Sequence, residues 1–310
     1  MRTSVENTSN TSLERDRMFR EIFSREIYPR YFEHLKQPTV APDVYFIGGQ
    51  PGSGKSVRER VLYNDLNRDS PGTVIEINGD DFRAFHPDYY RLLTEDDATA
   101  ASKIDQDNKF FIESCIRTSA EKDVHVILEG TFRQPDVVRS TADFYHEHGY
   151  SSQAILLAVH PLLSRIGILR RYCEQKKLSP FARYTERRAH DAALNGLYKT
   201  TESLISNKYL DNFTIIKQDG TMLFQAYLKN LSEDTCSLLS TEAKNTIQQT
   251  HNYLSVEEIK FAHHELDIVG KTINALNIPE IVVNDYEQLR RDVVAYRRTV
   301  RTLHFTPNLC

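Results

Sequence analysis

Eight consecutive residues, Gly49-Gln50-Pro51-Gly52-Ser53-Gly54-Lys55-Ser56, match the pattern G-x-x-x-x-G-K-[ST] in full. Glycines in such a turn let backbone N–H groups close around phosphate oxygens with no Cβ in the way. A helix that opens where the turn ends adds positive potential at the same place. Lys55 then has the reach for β- and γ-phosphates, and the Ser56 hydroxyl is suited to Mg²⁺. The chemistry expected is the binding of a nucleoside triphosphate, ATP or GTP, with its Mg²⁺.

Such a loop does not name what receives the phosphate, so other polar groups must be sought at the ends of apolar segments. Ile75-Glu76-Ile77 runs into Asn78-Gly79-Asp80-Asp81. A carboxylate there can take the proton of an attacking hydroxyl. Asp80 or Asp81 is equally suited to cap the next helix. Val126-Ile127-Leu128 runs into Glu129-Gly130-Thr131, a second carboxylate followed by a hydroxyl. Between residues 165 and 188 lie Arg165, Arg170, Arg171, Lys176, Lys177, Arg183, Arg187 and Arg188. Arginine forks match phosphate oxygens and the charge that spreads during transfer. Most of these cations are expected on a solvated helix face beside Glu174 and Glu186, with one or two acting on phosphate.

These residues need elements to position them. Val44–Ile47, Thr73–Ile77, Val124–Leu128, Ala154–Val159 and Phe213–Ile216 are short and apolar at nearly every position. That is the pattern of parallel strands covered on both faces. Helices are expected over 97–121, 135–148 and 161–176, where apolar residues recur at helical spacing. The fold expected is α/β: a doubly wound, mainly parallel sheet of the P-loop NTPase type, with a helical lid and a C-terminal helical extension.

Three regions follow: an N-terminal tail and helix over 1–42, a P-loop kinase domain over 43–230, and a helical extension over 231–310. The first twelve residues, rich in Ser, Thr and Asn, read as a loose tail. Two apolar stripes mark an antiparallel helical hairpin in the extension. One runs from Ile259 to Leu276 and the other from Val282 through Val300 to Leu303. Arg290, Arg291, Arg297, Arg298 and Arg301 give the last helix a basic face, expected to be solvated.

The formal net charge of −4 argues against a general nucleic-acid surface. No run of 18 apolar residues exists for a membrane span. Cys115, Cys173, Cys236 and Cys310 are widely spaced, which fits a reducing compartment, and a cytoplasmic location is expected.

The ordered set of motifs resembles the zeta toxin family. It comprises Gly48 to Ser56, Gly79-Asp80-Asp81-Phe82-Arg83 with His86-Pro87, Glu129-Gly130-Thr131 with Arg133, Arg170-Arg171-Tyr172, Ala182-Arg183-Tyr184-Thr185 and His190-Asp191. The similarity covers about residues 25–220. It implies a kinase of a toxin–antitoxin system that phosphorylates the 3′-hydroxyl of the amino-sugar in UDP-N-acetylglucosamine. An antitoxin protein covering the nucleotide site is then the expected partner. By the same resemblance Asp80 is the base, Lys55 the phosphate lysine, and Arg171 and Arg183 the lid arginines. Glu129, Thr131, Arg133 and His86 fall on the substrate side. The sequence departs from the family in three places. Asp81 replaces a usual Ser or Thr, Arg170 adjoins Arg171, and Tyr184-Thr185-Glu186 replaces Ala-Thr-Pro. Another hydroxyl acceptor, such as NAD or a nucleoside, is the alternative, and a nucleotide-dependent switch without an acceptor is a more distant one.

Overall fold

The computed structural model describes residues 3–95 and 99–304, with side chains over 13–95 and 99–297. The side chains of Arg298, Val300, Arg301 and Leu303, together with residues 97–98 and Cys310, lie outside the described residues.

The chain opens with α1 (Thr3–Ile22), a five-residue π-helical turn (Phe23–Ile27) and the short α2 (Tyr28–Tyr31). The π-helical turn stands just before Pro29, whose missing N–H would leave a gap in an ordinary helical ladder. The stretch read as a loose tail is therefore helical from Thr3 onward.

Alternating units follow: β1 (Asp43–Gly48), α3 (Lys55–Asp69), β2 (Val74–Ile77), then the short helices α4 (Gly79–Phe82) and α5 (Tyr89–Glu95). Next come α6 (Ala100–Glu121), β3 (His125–Glu129), α7 (Pro135–Glu147), β4 (Ser151–Leu157), α8 (Pro161–Leu178) and α9 (Arg187–Ser206). The chain ends with β5 (Asn212–Ile216), β6 (Met222–Tyr227), α10 (Glu233–Asn252), α11 (Val256–Ala275) and α12 (Glu280–His304). The six strands are ordered β2-β3-β1-β4-β5-β6. β2 pairs with β3 and β4 with β5 in parallel, whereas β6 runs antiparallel to β5. No helix among the described residues is long and apolar enough to cross a membrane.

Two compact units divide the chain. The first comprises Met1–Tyr45, Glu59–Glu129 and Phe144–Ser152, and the second Phe46–Arg58, Gly130–Asp143 and Gln153–Cys310. In the first, Phe19, Ile77, Phe82, Phe111 and Val126 are buried, with Phe19 in tilted ring contact with Phe110, Phe111 and His86. In the second, Ile47, Leu156, Leu197, Leu204 and Phe213 form the core.

The C-terminal helices complete the second unit. Ile259, Ala262, Leu266 and Val269 of α11 and Val282, Tyr286, Leu289 and Val293 of α12 are buried, as the two apolar stripes require. Both helices pack on each other and on α8. Gly270 permits this closeness, because a Cβ there would lie 2.1 Å from the Tyr286 hydroxyl oxygen. Arg290, Arg291 and Arg297 are exposed.

Candidate phosphate-binding and acid sites

The loop between β1 and α3 has the backbone of a phosphate cradle. Gly49, Gly52 and Gly54 all have positive φ, at 152°, 78° and 92°. A side chain at Gly52 is excluded twice over, since its Cβ would also meet the Ser164 carbonyl oxygen at 1.9 Å. The loop thus lies directly on α8.

Gln50 secures it from the side. The fully buried Gln50 amide donates to the Val159 carbonyl at 2.6 Å and reaches Ser164 Oγ at 3.3 Å. Lys55 is 8% exposed and donates to the carbonyls of Gly49 at 3.0 Å and Gln50 at 3.3 Å. Its ammonium group is thus folded over the loop that it serves. Ser56, next along, is solvent-exposed. A cavity of about 400 Å³ lies nearby, lined in part by Val159, His160, Lys217, Gln218, Glu258 and Phe261. The Gln218 amide borders Gly54, where a Cβ would meet its Nε2 at 3.1 Å.

The acids of the first unit gather at the ends of β2 and β3. Asn78 caps α4 by accepting from the Asp80 N–H at 3.1 Å. Its amide group donates to Glu129 Oε2 at 2.9 Å. Asp80 is therefore in a cap, yet its own side chain does not form that cap. Arg83 Nη1 holds Asp80 Oδ1 at 2.8 Å and Nη2 reaches Asp105 at 3.2 Å. Asp81 keeps solvent contact, but partial desolvation and the Glu129 carboxylate push its carboxyl group up, against the pull of Arg30.

Glu59, four residues beyond Lys55 on α3, belongs to this group although its sequence context did not mark it. Burial, then repulsion from Glu129 and a hydrogen bond to it, pushes Glu59 up to about 9. Raised this far, Glu59 keeps its proton at neutral pH. Its Oε1 is buried without a hydrogen-bond partner among the described residues.

The remaining predicted residues differ in placement. His86 is 6% exposed; its Nε2 lies 3.2 Å from Asp107 and its Nδ1 accepts from the Asp88 N–H at 3.1 Å. Both ring nitrogens are thus engaged in anchoring the turn after α4. Thr131 and Arg133 are exposed. The Arg133 backbone is pressed against Gly196 of α9.

The two adjacent arginines of α8 separate. Arg170 pairs with Glu174 at 2.8 Å and approaches Glu265 at 3.6 Å. Arg171 instead donates to Thr185 Oγ1 at 3.2 Å. Arg183 lies in the loop between α8 and α9, and burial pulls its guanidinium below the usual arginine range. Of the other cations in the basic run, Arg165 is buried and Arg187 and Arg188 are exposed. Cys115, Cys173 and Cys236 are buried free thiols.

Among the described residues no group of three or more His, Cys, Asp or Glu side chains is placed to hold a metal ion. The residues fit Mg²⁺ as nucleotide kinases hold it, with one or two protein oxygens and the remaining positions filled by phosphates and water. The exposed Ser56 hydroxyl at the end of the loop would supply such an oxygen.

Comparison with known proteins bears on the family and the fold. The family model described as Zeta toxin matches residues 30–229. Toxin zeta of Enterococcus hirae is 27% identical over 192 residues, covering 62% of this chain and 66% of that protein. The chain thus spans just under two thirds of that relative's length. Toxin PezT of Streptococcus pneumoniae serotype 4 is 27% identical over 212 residues, covering 68% of this chain and 81% of that protein.

Among solved structures, one from the PezAT chromosomal toxin–antitoxin system of Streptococcus pneumoniae is similar with a TM-score of 0.66 at 24% identity, covering 84% of this chain and 97% of that one. The AvrRxo1-ORF1:-ORF2 complex with ATP is similar with a TM-score of 0.50 at 13% identity, covering 83% of this chain and 81% of that one. Both share the fold. With the family model matched over more than half of its length, the chain belongs to the zeta toxin family.

Proposed function

We propose that this protein is a kinase that moves the γ-phosphate of ATP or GTP onto a small-molecule hydroxyl, with the 3′-hydroxyl of the amino-sugar of UDP-N-acetylglucosamine as the first candidate acceptor. The observation that carries this reading is the loop at 49–56. Its positive-φ glycines, buried lysine and side anchor at Gln50, in a chain of this family, support its reading as a triphosphate cradle.

Each residue has a defined task. The backbone N–H groups of Gly52 to Ser56 bind phosphate oxygens, and Lys55 shifts from the loop carbonyls to the β- and γ-phosphates. The nucleoside half is assigned to the cavity beside Gln218. Ser56 would hold Mg²⁺, which when bound supplies charge neutralisation on the phosphates.

Asp80, oriented by Arg83, accepts the proton of the acceptor hydroxyl. Arg171 and Arg183 stabilise the charge spread over the transferring phosphoryl group. Glu129 and Thr131 contact the acceptor. Arg133 adds a cation on the acceptor side, and His86 acts through the turn that it anchors. An antitoxin protein covering the nucleotide site is the partner this reading requires.

The decisive experiment incubates the protein with ATP or GTP and a panel of acceptors. The panel contains UDP-N-acetylglucosamine, NAD and nucleosides, and products are read by mass. A gain of one phosphate on UDP-N-acetylglucosamine, lost in Lys55→Ala, supports the full reading. Phosphate on another acceptor keeps the kinase and replaces the substrate. Slow nucleotide hydrolysis with no phosphorylated acceptor makes the protein a switch and ends the proposal.

A further inference from the structure

The family match stops at residue 229, so α11 and α12 lie beyond it. These helices nevertheless hold the arginine-bearing part of the second unit. Asp285 and Asp292 stand two turns apart on one face of α12. Arg165 of α8, 4% exposed, donates from Nη2 to Asp285 Oδ1 at 2.6 Å and from Nη1 to Asp292 Oδ2 at 3.0 Å.

The second oxygen of Asp285 has a different partner. Oδ2 accepts from the Tyr184 hydroxyl at 3.0 Å. Tyr184 sits in the loop over 179–186, directly between Arg183 and Thr185, and Thr185 receives the hydrogen bond from Arg171. Its ring also meets Tyr172 of α8 edge-on, with centroids 5.8 Å apart. One carboxylate outside the family region therefore holds both the root of α8 and the loop that carries Arg183.

A buried arginine with two carboxylates is often no more stabilising than apolar packing of the same volume, so stability alone is weak grounds for its presence and its geometry is the feature to explain. We propose that Asp285 is a positioning residue for phosphoryl transfer: through the Tyr184 hydroxyl it fixes the 179–186 loop so that Arg183 and Arg171 are presented to the transferring phosphate. This rests on the kinase reading above. It makes the C-terminal extension a brace for the arginine loop rather than an inert cover.

The test compares Tyr184→Phe, Asp285→Ala, Asp285→Asn and Asp292→Asn in the full chain. Hydrogen exchange of residues 181–185 and steady-state phosphotransfer are the readouts. Tyr184→Phe leaves the Arg165 cluster whole, so it stays folded even if Asp285→Ala does not. In Tyr184→Phe and Asp285→Ala, amide exchange in the loop is expected to quicken about tenfold. The same variants should lose about tenfold in kcat with KM for the nucleotide within about twofold of wild type. Asp285→Asn keeps its oxygen for Arg165 and turns an amide N–H donor toward the tyrosine oxygen, so it retains a link to Tyr184 and is expected to recover most of the kcat. Asp292→Asn weakens the same ion cluster without touching Tyr184 and is expected to keep wild-type exchange and kcat.

Wild-type loop exchange in Tyr184→Phe overturns the brace, as does an equal kcat loss in Asp292→Asn. If the wild-type protein phosphorylates no acceptor, the kinase reading fails separately, and loop exchange still decides whether the brace exists.

Discussion

The Ser164 hydroxyl and Nε2 of His190 lie 2.8 Å apart, and both residues are fully buried. Nδ1 of the same imidazole meets Asp191 Oδ1 at 2.9 Å. Serine, histidine and aspartate in this order resemble a hydrolase triad, but no substrate reaches a serine sealed beneath the phosphate loop. Burial, the largest influence, holds the imidazole below its ordinary range and therefore neutral. A neutral ring that donates to the carboxylate from Nδ1 accepts the serine proton at Nε2. Ser164 Oγ in turn accepts from Gln50. A polar chain thus runs from α9 through α8 into the cradle.

His190→Ala therefore should loosen the cradle as well as the core. Loss of a buried partner is expected to lower stability by about 1–3 kcal/mol. Nucleotide affinity should fall with it, because Gln50 loses the fixed position of its serine contact. Thermal unfolding and calorimetric titration with ATP check the two effects. Unchanged affinity in a destabilised variant would leave the chain a role in folding alone.

The neighbouring aspartates make a second prediction. Asp80 is oriented by Arg83 at 2.8 Å, whereas Asp81 faces partial desolvation and repulsion from Glu129. Asp80→Ala is expected to lower kcat by about 10²–10⁴-fold, the range for loss of a general base. Asp81→Ala should stay near wild type and melt no lower, since it removes a repelled carboxyl group. The reverse ranking in kcat would move the base to Asp81.

Arg170 and Arg171 can be separated in the same way. Arg170 is occupied by Glu174 and Glu265, while Arg171 points to the loop of Arg183. Arg171→Ala is expected to reduce kcat by about 10²–10³-fold, the cost of losing one preorganised charge-stabilising group. Arg170→Ala should affect melting more than turnover. Equal losses of kcat would show that the assignment between the two arginines is wrong.

Legibility in the sequence followed how local each feature is. The loop at 49–56 was readable because its eight residues are contiguous, and its glycines take the positive φ angles such a turn needs. The first five strands were readable because burial on both faces leaves them apolar at nearly every position. β6 was missed. It is an edge strand whose Met222, Gln225 and Tyr227 are exposed, so it is not covered on both faces as the other strands are. The turn at Asp219-Gly220, with Gly220 at φ 91°, was the available signal. Glu59 was missed because burial and the end of β3 define its role, and neither is visible from its neighbours in the chain. The Arg165–Asp285 pair spans 120 positions and leaves no local trace. The residues beyond 230 showed their apolar stripes plainly but gave no sign of what those helices hold.

Buried titratable groups predict a stability maximum between acid and alkaline limits. His160 and His251, 6% and 7% exposed, are both pushed down to about 4 by burial, with His160 and His190 adding to the effect on His251. Below the ordinary histidine value of about 6.5 the unfolded chain takes up protons that the folded chain refuses. Stability is therefore lost as pH falls from about 6.5 toward 4, at up to about 1.4 kcal/mol per pH unit for each histidine.

Glu59 acts in the opposite direction. Its folded value near 9 stands above the ordinary 4.5, so the folded chain binds the extra proton and stability falls as pH rises through that window. Glu59→Gln keeps a neutral, hydrogen-bonding side chain and should remove this downward slope over its whole window from 4.5 to about 9, flattening the alkaline limb and steepening the acid limb set by the histidines. Melting temperatures of wild type and variant from pH 4 to 9 provide the check. Parallel curves across the whole range would mean that Glu59 is ionised in the folded protein.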